Sequence, residues 1–166
     1  MNDINQNLQE LWGKVGFIIH LSQMVEYNLA NILSADELLR EFEERDVMCI
    51  IEYNKFAEKS NALYQTLSTK TFGAILNRAE KIKFFTEDGL KLLREACSKR
   101  NYVVHHLFRD DLNSKHLESD PQFYFEELET TIGLLHEINE VLLNIFEQQK
   151  KDFRLTNFST NAGGTY

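Results

Sequence analysis

The sequence predicts an all-α protein, a single-domain bundle of four to five helices. Three observations carry this. Apolar residues recur at three- and four-residue spacing along most of the 166 residues. One proline and seven glycines leave few natural breaks. No stretch alternates apolar and polar residues with the period of a strand, and no Asn-Gly hairpin turn is present.

The elements follow in order. Leu8, Leu11, Trp12, Val15, Ile18, Ile19, Val25, Leu29 and Ile32 mark a first helix over roughly 4–33. Gly13 and Gly16 inside it each cost about 1 kcal/mol against alanine, and their presence suggests a neighbouring helix packed close. Ser34-Ala35-Asp36-Glu37 has the spacing of a capping box, so a second helix is expected to begin there. Val47, Ile50, Ile51, Tyr53, Phe56, Leu63 and Leu67 carry it to about residue 68. Thr69 to Phe72 read as a break with a cap, and Ala74, Ile75, Leu76 and Ile82 as a short helix ending near Phe84.

Thr86-Glu87-Asp88 place a cap and negative charge at the start of the next helix, which runs to about Phe108. The polar stretch from Arg109 to Asp120 is expected to be a loop. Asp120-Pro121 is a strong start signal, an N-cap followed by proline in the first turn. Leu128, Ile132, Leu135, Ile138, Leu142, Leu143 and Phe146 form the last long helix, ending near Lys150 and Lys151. The expected domain is 1–155, with residues 156–166 a disordered tail.

Composition narrows the function. A chain that is 43% hydrophobic and 27% charged can bury a full core without staples. Cys49 and Cys97 both lie in apolar-periodic stretches and give neither a disulfide framework nor zinc spacing, which fits a reducing, cytoplasmic setting. The segment Met1-Asn2-Asp3-Ile4-Asn5 lacks the basic start and apolar run of a leader. The run Val15 to Ile19 stops at His20, far short of the ~20 residues a membrane span needs, so no membrane association is expected.

The net charge is −8, which argues against polyanion binding over the whole surface. Segment 70–116 is the exception, with ten basic residues against six acidic ones, a local +4 against −12 for the remainder. It could be a landing site for phosphate or an ordinary solvated face with interleaved signs. No phosphate loop, nucleophile elbow or HExxH pair is present. No glutamate stands three residues before any of the five histidines, so the Glu-x-x-His pairs of a di-iron bundle are missing. No cofactor or metal is expected, and His20, His116 and His136 read as ordinary helix or loop residues.

One stretch does not read as scaffolding: Lys99-Arg100-Asn101-Tyr102-Val103-Val104-His105-His106-Leu107-Phe108. On a helix, Leu90, Leu92, Leu93, Ala96, Cys97, Val103, Val104, Leu107 and Phe108 share one arc, and Lys91, Arg94, Ser98, Asn101, His105 and Arg109 lie opposite. Arg100 falls in the middle of the apolar arc. A guanidinium there must be paired or must reach a solvated cleft. Arginine clamps phosphate through a rigid donor fork and histidine moves protons near neutral pH, the two parts that metal-free phosphodiester cleavage needs.

Arg100-Asn101-x-x-x-His105 resembles the Arg-x(4–6)-His motif of the HEPN superfamily, with the usual polar residue after the arginine. Thr71-Phe72-Gly73-Ala74-Ile75-Leu76 together with Arg100 to Phe108 is similar to small bacterial stand-alone members. The resemblance implies a helical bundle forming a symmetric homodimer, with both motif copies in one composite cleft. It further implies a metal-independent endoribonuclease, often a toxin held by a cognate antitoxin or a component of antiviral defence. His105 would activate the ribose 2′-OH or protonate the leaving oxygen, Arg100 would steady the phosphate, and Asn101 would orient one of them. Tyr102 and His106 would be supporting residues, and the product would carry a 2′,3′-cyclic phosphate. Some members bind nucleotides or protein partners without cutting RNA.

Spacing adds a constraint. On an ideal helix Arg100 and His105 point about 140° apart, whereas Asn101 and His105 differ by about 40°. Either the helix is locally distorted, as by a π-bulge, or a second subunit supplies the missing group. The apolar arc around Arg100 favours the dimer.

Overall fold

The computed structural model describes residues 2–43, 50–82, 85–111 and 121–161, and every regular element among them is helical. The chain is all-α. Helix α1 spans Asn2–Glu43, α2 Ile50–Leu67, α3 Phe72–Ala79 and α4 Glu87–Tyr102; α4 continues into a π-helix over Val103–Asp111, and α5 spans Pro121–Asn161.

The break expected at Ser34 does not occur, because α1 runs through it to Glu43. The Ser34 hydroxyl donates back to the Ala30 carbonyl at 2.8 Å, and Asp36 pairs with Arg40 at 2.7 Å one turn on. Both are interactions of a helix interior rather than of a cap. Leu29, Ile32 and Leu33 are buried on the turns leading into the serine, and Ser34 is itself buried. Cys49 and the stretch 44–49 lie outside the described residues.

Two predicted starts hold. Thr86 is extended, and its hydroxyl accepts from the Gly89 amide at 3.1 Å, with Glu87 and Asp88 in the first turn. Helix α5 begins at Pro121. It also passes the end expected near Lys150 and Lys151 and reaches Asn161, so 156–161 is helical rather than a disordered tail; residues 162–166 lie outside the described set. The expected loop 109–120 is π-helical through Asp111, and the remainder, with His116, is not among the described residues.

Contacts divide the chain into two compact units, Met1–Val25 with Thr86–Glu140 and Glu26–Phe85 with Val141–Tyr166. The first unit buries Leu11, Val15, Ile18 and Leu21 of α1, Leu93, Ala96 and Cys97 of α4, Val103 and Leu107 of the π-helix, and Tyr124, Leu128, Leu135 and Ile138 of α5. Lys14 is hydrogen-bonded to Glu129 and Lys99 to Glu127, at 3.0 Å for the latter, so α5 is tied by ion pairs to both α1 and α4. In the second unit Leu29, Ile32, Leu67, Phe72, Ile75, Ala79 and Leu142 are buried. There Ser60 donates to the Ser34 carbonyl at 2.8 Å and Gln149 to the Ile32 carbonyl at 3.1 Å.

The outer face of α1 in the first unit is unusual. Trp12, Phe17, Ile19 and Met24 are exposed large hydrophobic residues, Trp12 at 53%. Gly13 and Gly16 lie among them, and a Cβ added at either would meet nothing within 4 Å. The close packing expected at these glycines is therefore not made within the described chain. Among the described residues no helix is long and apolar enough to cross a membrane.

Candidate functional site

Helix α4 sets the site. Its apolar stripe buries Leu93, Ala96 and Cys97, and Val103 and Leu107 extend it into the π-helix. Arg100 is seven residues on from Leu93, about 20° away around an α-helix, so the fold draws its stem toward the core. The residue is half-buried and its Nε is sealed from solvent. The guanidinium Nη1 donates to Asn101 Oδ1 at 3.1 Å, and Asn101 Nδ2 in turn reaches Cys97 Sγ at 3.8 Å. Asn101 is thus braced on the preceding turn and holds one arm of Arg100. Next to them, Lys99 is held by Glu127 of α5.

Winding changes three residues after Arg100. A π-helix bonds i to i+5 and turns roughly 80° per residue instead of 100°. Two such steps replace α-steps between Arg100 and His105, which brings their directions from about 140° to about 100° apart. The same change aligns Asn101, His105 and Arg109 within about 40°. A π-distortion, one of the two expected ways to relieve the five-residue spacing, is present in the single chain and narrows the angle without closing it.

His105 is exposed and forms no hydrogen bond with another described residue. His106 is also exposed, and Arg109 Nη2 lies 3.1 Å from its Nδ1. Arginine can only donate, so Nδ1 is the acceptor in this contact. Tyr102 is half-buried. The structure therefore gathers the candidates into two bonded pairs, Arg100 with Asn101 and His106 with Arg109, and leaves His105 exposed between them in sequence.

The basic segment is divided between the two units. Lys70, Arg78 and Lys81 belong to the second unit, whereas Lys91, Arg94, Lys99, Arg100 and Arg109 belong to the first. Lys99 and Arg78 are each engaged by a carboxylate, the latter by Glu37 at 3.1 Å.

Other clusters escaped the sequence. His20 stacks on Phe17 with ring centres 6.5 Å apart, and His136 of α5 tilts against the same ring at 5.6 Å. The Phe17–His20 spacing of three was readable, but the partner on α5 was not. In the second unit a cavity of about 470 Å³ is lined by Asp36, Glu37, Arg40, Asn77, Arg78 and Lys81. In the first, a groove of about 730 Å³ is lined by Glu10, Lys14, Phe125, Glu126 and Glu129. Neither includes Arg100 or His105. The paired carboxylates Glu129 and Glu10 raise the Lys14 pKa above its ordinary 10.5, chiefly through the hydrogen bond that Lys14 donates to Glu129 and against the opposing effect of burial. Among the described residues no group of three His, Cys, Asp or Glu side chains is placed to hold a metal ion.

Fold and side-chain geometry thus define an all-helical protein carrying an arginine–asparagine pair followed by a π-helical pair of histidines. No protein family, curated protein or solved structure matches the chain.

Proposed function

We propose that the protein is a cytoplasmic, metal-independent endoribonuclease of HEPN type, acting as a homodimer whose composite cleft takes one Arg100–His105 set from each copy. The observation that carries this reading is the half-buried Arg100, its guanidinium held by Asn101, five residues before an exposed His105 in a segment that winds as a π-helix. In the reaction, His105 of one copy accepts the proton of a ribose 2′-OH and the 2′-oxygen attacks the adjacent phosphorus. The bond from phosphorus to the 5′-oxygen breaks, and a protonated His105 of the other copy supplies the proton that oxygen takes up. Arg100 stabilises the charge that builds on the phosphoryl oxygens. The products are a 2′,3′-cyclic phosphate and a 5′-hydroxyl. A toxin or defence role, with a cognate antitoxin as partner, is part of the same proposal.

The test is incubation of purified protein with single-stranded RNA in EDTA. Wild type is expected to cut, and His105→Ala and Arg100→Ala to lose at least a hundredfold in rate. Intact RNA at high protein excess, or a monomer in analytical ultracentrifugation at high concentration, would overturn the reading.

A second reading is a non-catalytic helical module that binds a partner protein or a nucleotide. The exposed Trp12, Phe17, Ile19 and Met24 on α1 favour the protein-binding form of it. It predicts partner capture that survives Arg100→Ala and no cleavage by either protein.

A further inference from the structure

The cavity of the second unit, about 470 Å³, takes no part in the reaction just described. One wall is the end of α1, from Leu33 to Arg40, and the other is the end of α3 with the turn after it, from Asn77 to Ile82. Its volume is that of a small-molecule pocket. Leu33 and Ile82, 4% and 5% exposed, give it an apolar base. The polar side chains opposite α1 are set by how α3 ends. The Lys81 amide donates to the Arg78 carbonyl and the Ile82 amide to the Ala79 carbonyl, each at 3.1 Å. Bonds of this three-residue kind place residues i and i+3 one above the other, so Arg78 and Lys81 both line the cavity.

Charge then favours an anion. Arg40, Arg78 and Lys81 line the cavity against two carboxylates, Asp36 and Glu37. Arg40 pairs with Asp36 at 2.7 Å and Arg78 with Glu37 at 3.1 Å, each through Nη2. Neither arginine has a further partner among the described residues, and the Lys81 side chain has none there at all. Like charges one turn apart repel, so Lys81 beside Arg78 lacks a counter-charge of its own. The lining is net positive on a chain of net charge −8. The Arg78–Glu37 pair is also easily shared, because its side chains are 46% and 47% exposed and such pairs contribute little. A guanidinium has five N–H donors and can serve a second acceptor alongside its carboxylate.

We infer that this cavity binds a small phosphate monoester, its terminal oxygens shared among Arg40, Arg78 and Lys81 and its organic part laid on Leu33 and Ile82. A monoester offers three terminal oxygens to three cationic side chains, where a carboxylate offers two. Asn77, on the same wall as Arg78, adds an amide. Neither Arg100 nor His105 lines this cavity, so the inference stands apart from the ribonuclease reading.

Equilibrium dialysis of the full chain against phenyl phosphate, inorganic phosphate or benzoate, at physiological ionic strength, tests it. Phenyl phosphate is expected to bind at least tenfold tighter than inorganic phosphate, which has no ring to lay on the apolar base. It should exceed benzoate by a similar factor, since benzoate has fewer oxygens and less charge. Arg78→Gln and Lys81→Gln should each weaken phenyl phosphate about tenfold. Lys55→Gln removes an exposed cation of the same unit that does not line the cavity, and should change affinity less than about twofold. Arg100→Ala should leave the affinity as it is. Glu37→Gln is the discriminating variant: it removes the carboxylate that competes for Arg78 and should tighten binding about threefold, whereas a merely structural ion pair would leave affinity unmoved. The inference is overturned by no retention of phenyl phosphate at millimolar ligand, or by losses at Arg78 and Lys81 no larger than at Lys55. A loss that follows Arg100 instead, an unmoved Glu37→Gln, or benzoate or inorganic phosphate binding as tightly as phenyl phosphate would overturn it equally.

Discussion

Asn101 can be changed in two ways that move stability in opposite directions while both impair the site. Its Oδ1 accepts a hydrogen bond from the Arg100 guanidinium at 3.1 Å, and both residues are half-buried. A hydrogen bond to a charged donor contributes about 1.5–3 kcal/mol when water is excluded. Here solvent can replace part of it, so Asn101→Ala should lose about 1 kcal/mol. For a chain of this size that corresponds to a fall in Tm of roughly 2–4 °C. Asn101→Asp keeps the acceptor and adds a negative charge against the guanidinium, which should raise Tm by roughly the same amount at low salt. The same carboxylate competes with phosphate for Arg100, so RNA affinity should fall about tenfold although the protein is more stable. Thermal unfolding by circular dichroism at neutral pH, alongside fluorescence anisotropy with a labelled single strand of 2′-O-methyl uridine, which has no free 2′-OH to attack, reads both quantities. If the two substitutions shift Tm in the same direction, or if Asn101→Asp binds RNA as wild type does, the Arg100–Asn101 pair does not have the role given to it.

Three further outcomes are expected. Leu107 is 1% exposed and anchors the π-helix in the core of its unit, so Leu107→Ala should cost about 3 kcal/mol, roughly 6–12 °C in Tm; a calorimetric loss below about 1 kcal/mol would show that the segment is not held there. Gln149 is buried with Nε2 on the Ile32 carbonyl, but its Oε1 meets no donor among the described residues. Since that carbonyl sits within a helix and has its own amide partner, Gln149→Met should be neutral or stabilising by up to about 1 kcal/mol, and a clear drop in denaturant midpoint would contradict this. Lys14 has a folded pKa above its unfolded 10.5, so the stability it contributes is fully present below that pH and is lost as pH rises through the folded value. Glu129 is largely exposed, so Glu129→Gln should cost only about 0.5–1 kcal/mol near neutrality; urea titrations should show the gap from wild type narrowing above pH 10.5, and a gap that widens there would refute the pairing.

Much of this molecule could be read from particular residues. Thr86 and Pro121 mark helix starts because each is a local device: a hydroxyl within reach of an orphan amide, and a ring already set at helical φ. Arg100 was recognisable because a charge in an apolar stripe is a local contradiction, and the structure resolves it with a half-buried stem and a neighbouring amide. Ser34 was misleading for the converse reason. The same hydroxyl can cap a helix start or bond back to the carbonyl four residues earlier, and in α1 the buried Ser34 does the second, a choice that its own spacing to Glu37 does not reveal. Gly13 and Gly16 posed a similar ambiguity, since a missing side chain is compatible with a packed neighbour and with open space. The π-helix was legible only as a mismatch of spacing. Nothing in the local propensities of Val103 to Asp111 marks a change from α- to π-winding. The His136–Phe17 contact joins residues more than a hundred positions apart, beyond the range of any motif.

The half-exposed Trp12 is the sequence's sole tryptophan. Its indole fluorescence is consequently a built-in, single-site gauge of whatever comes to lie against α1. A blue shift of emission on concentrating the protein, or on adding another polypeptide, would report dehydration of that one ring, with no label attached and no second emitter of its kind to deconvolute.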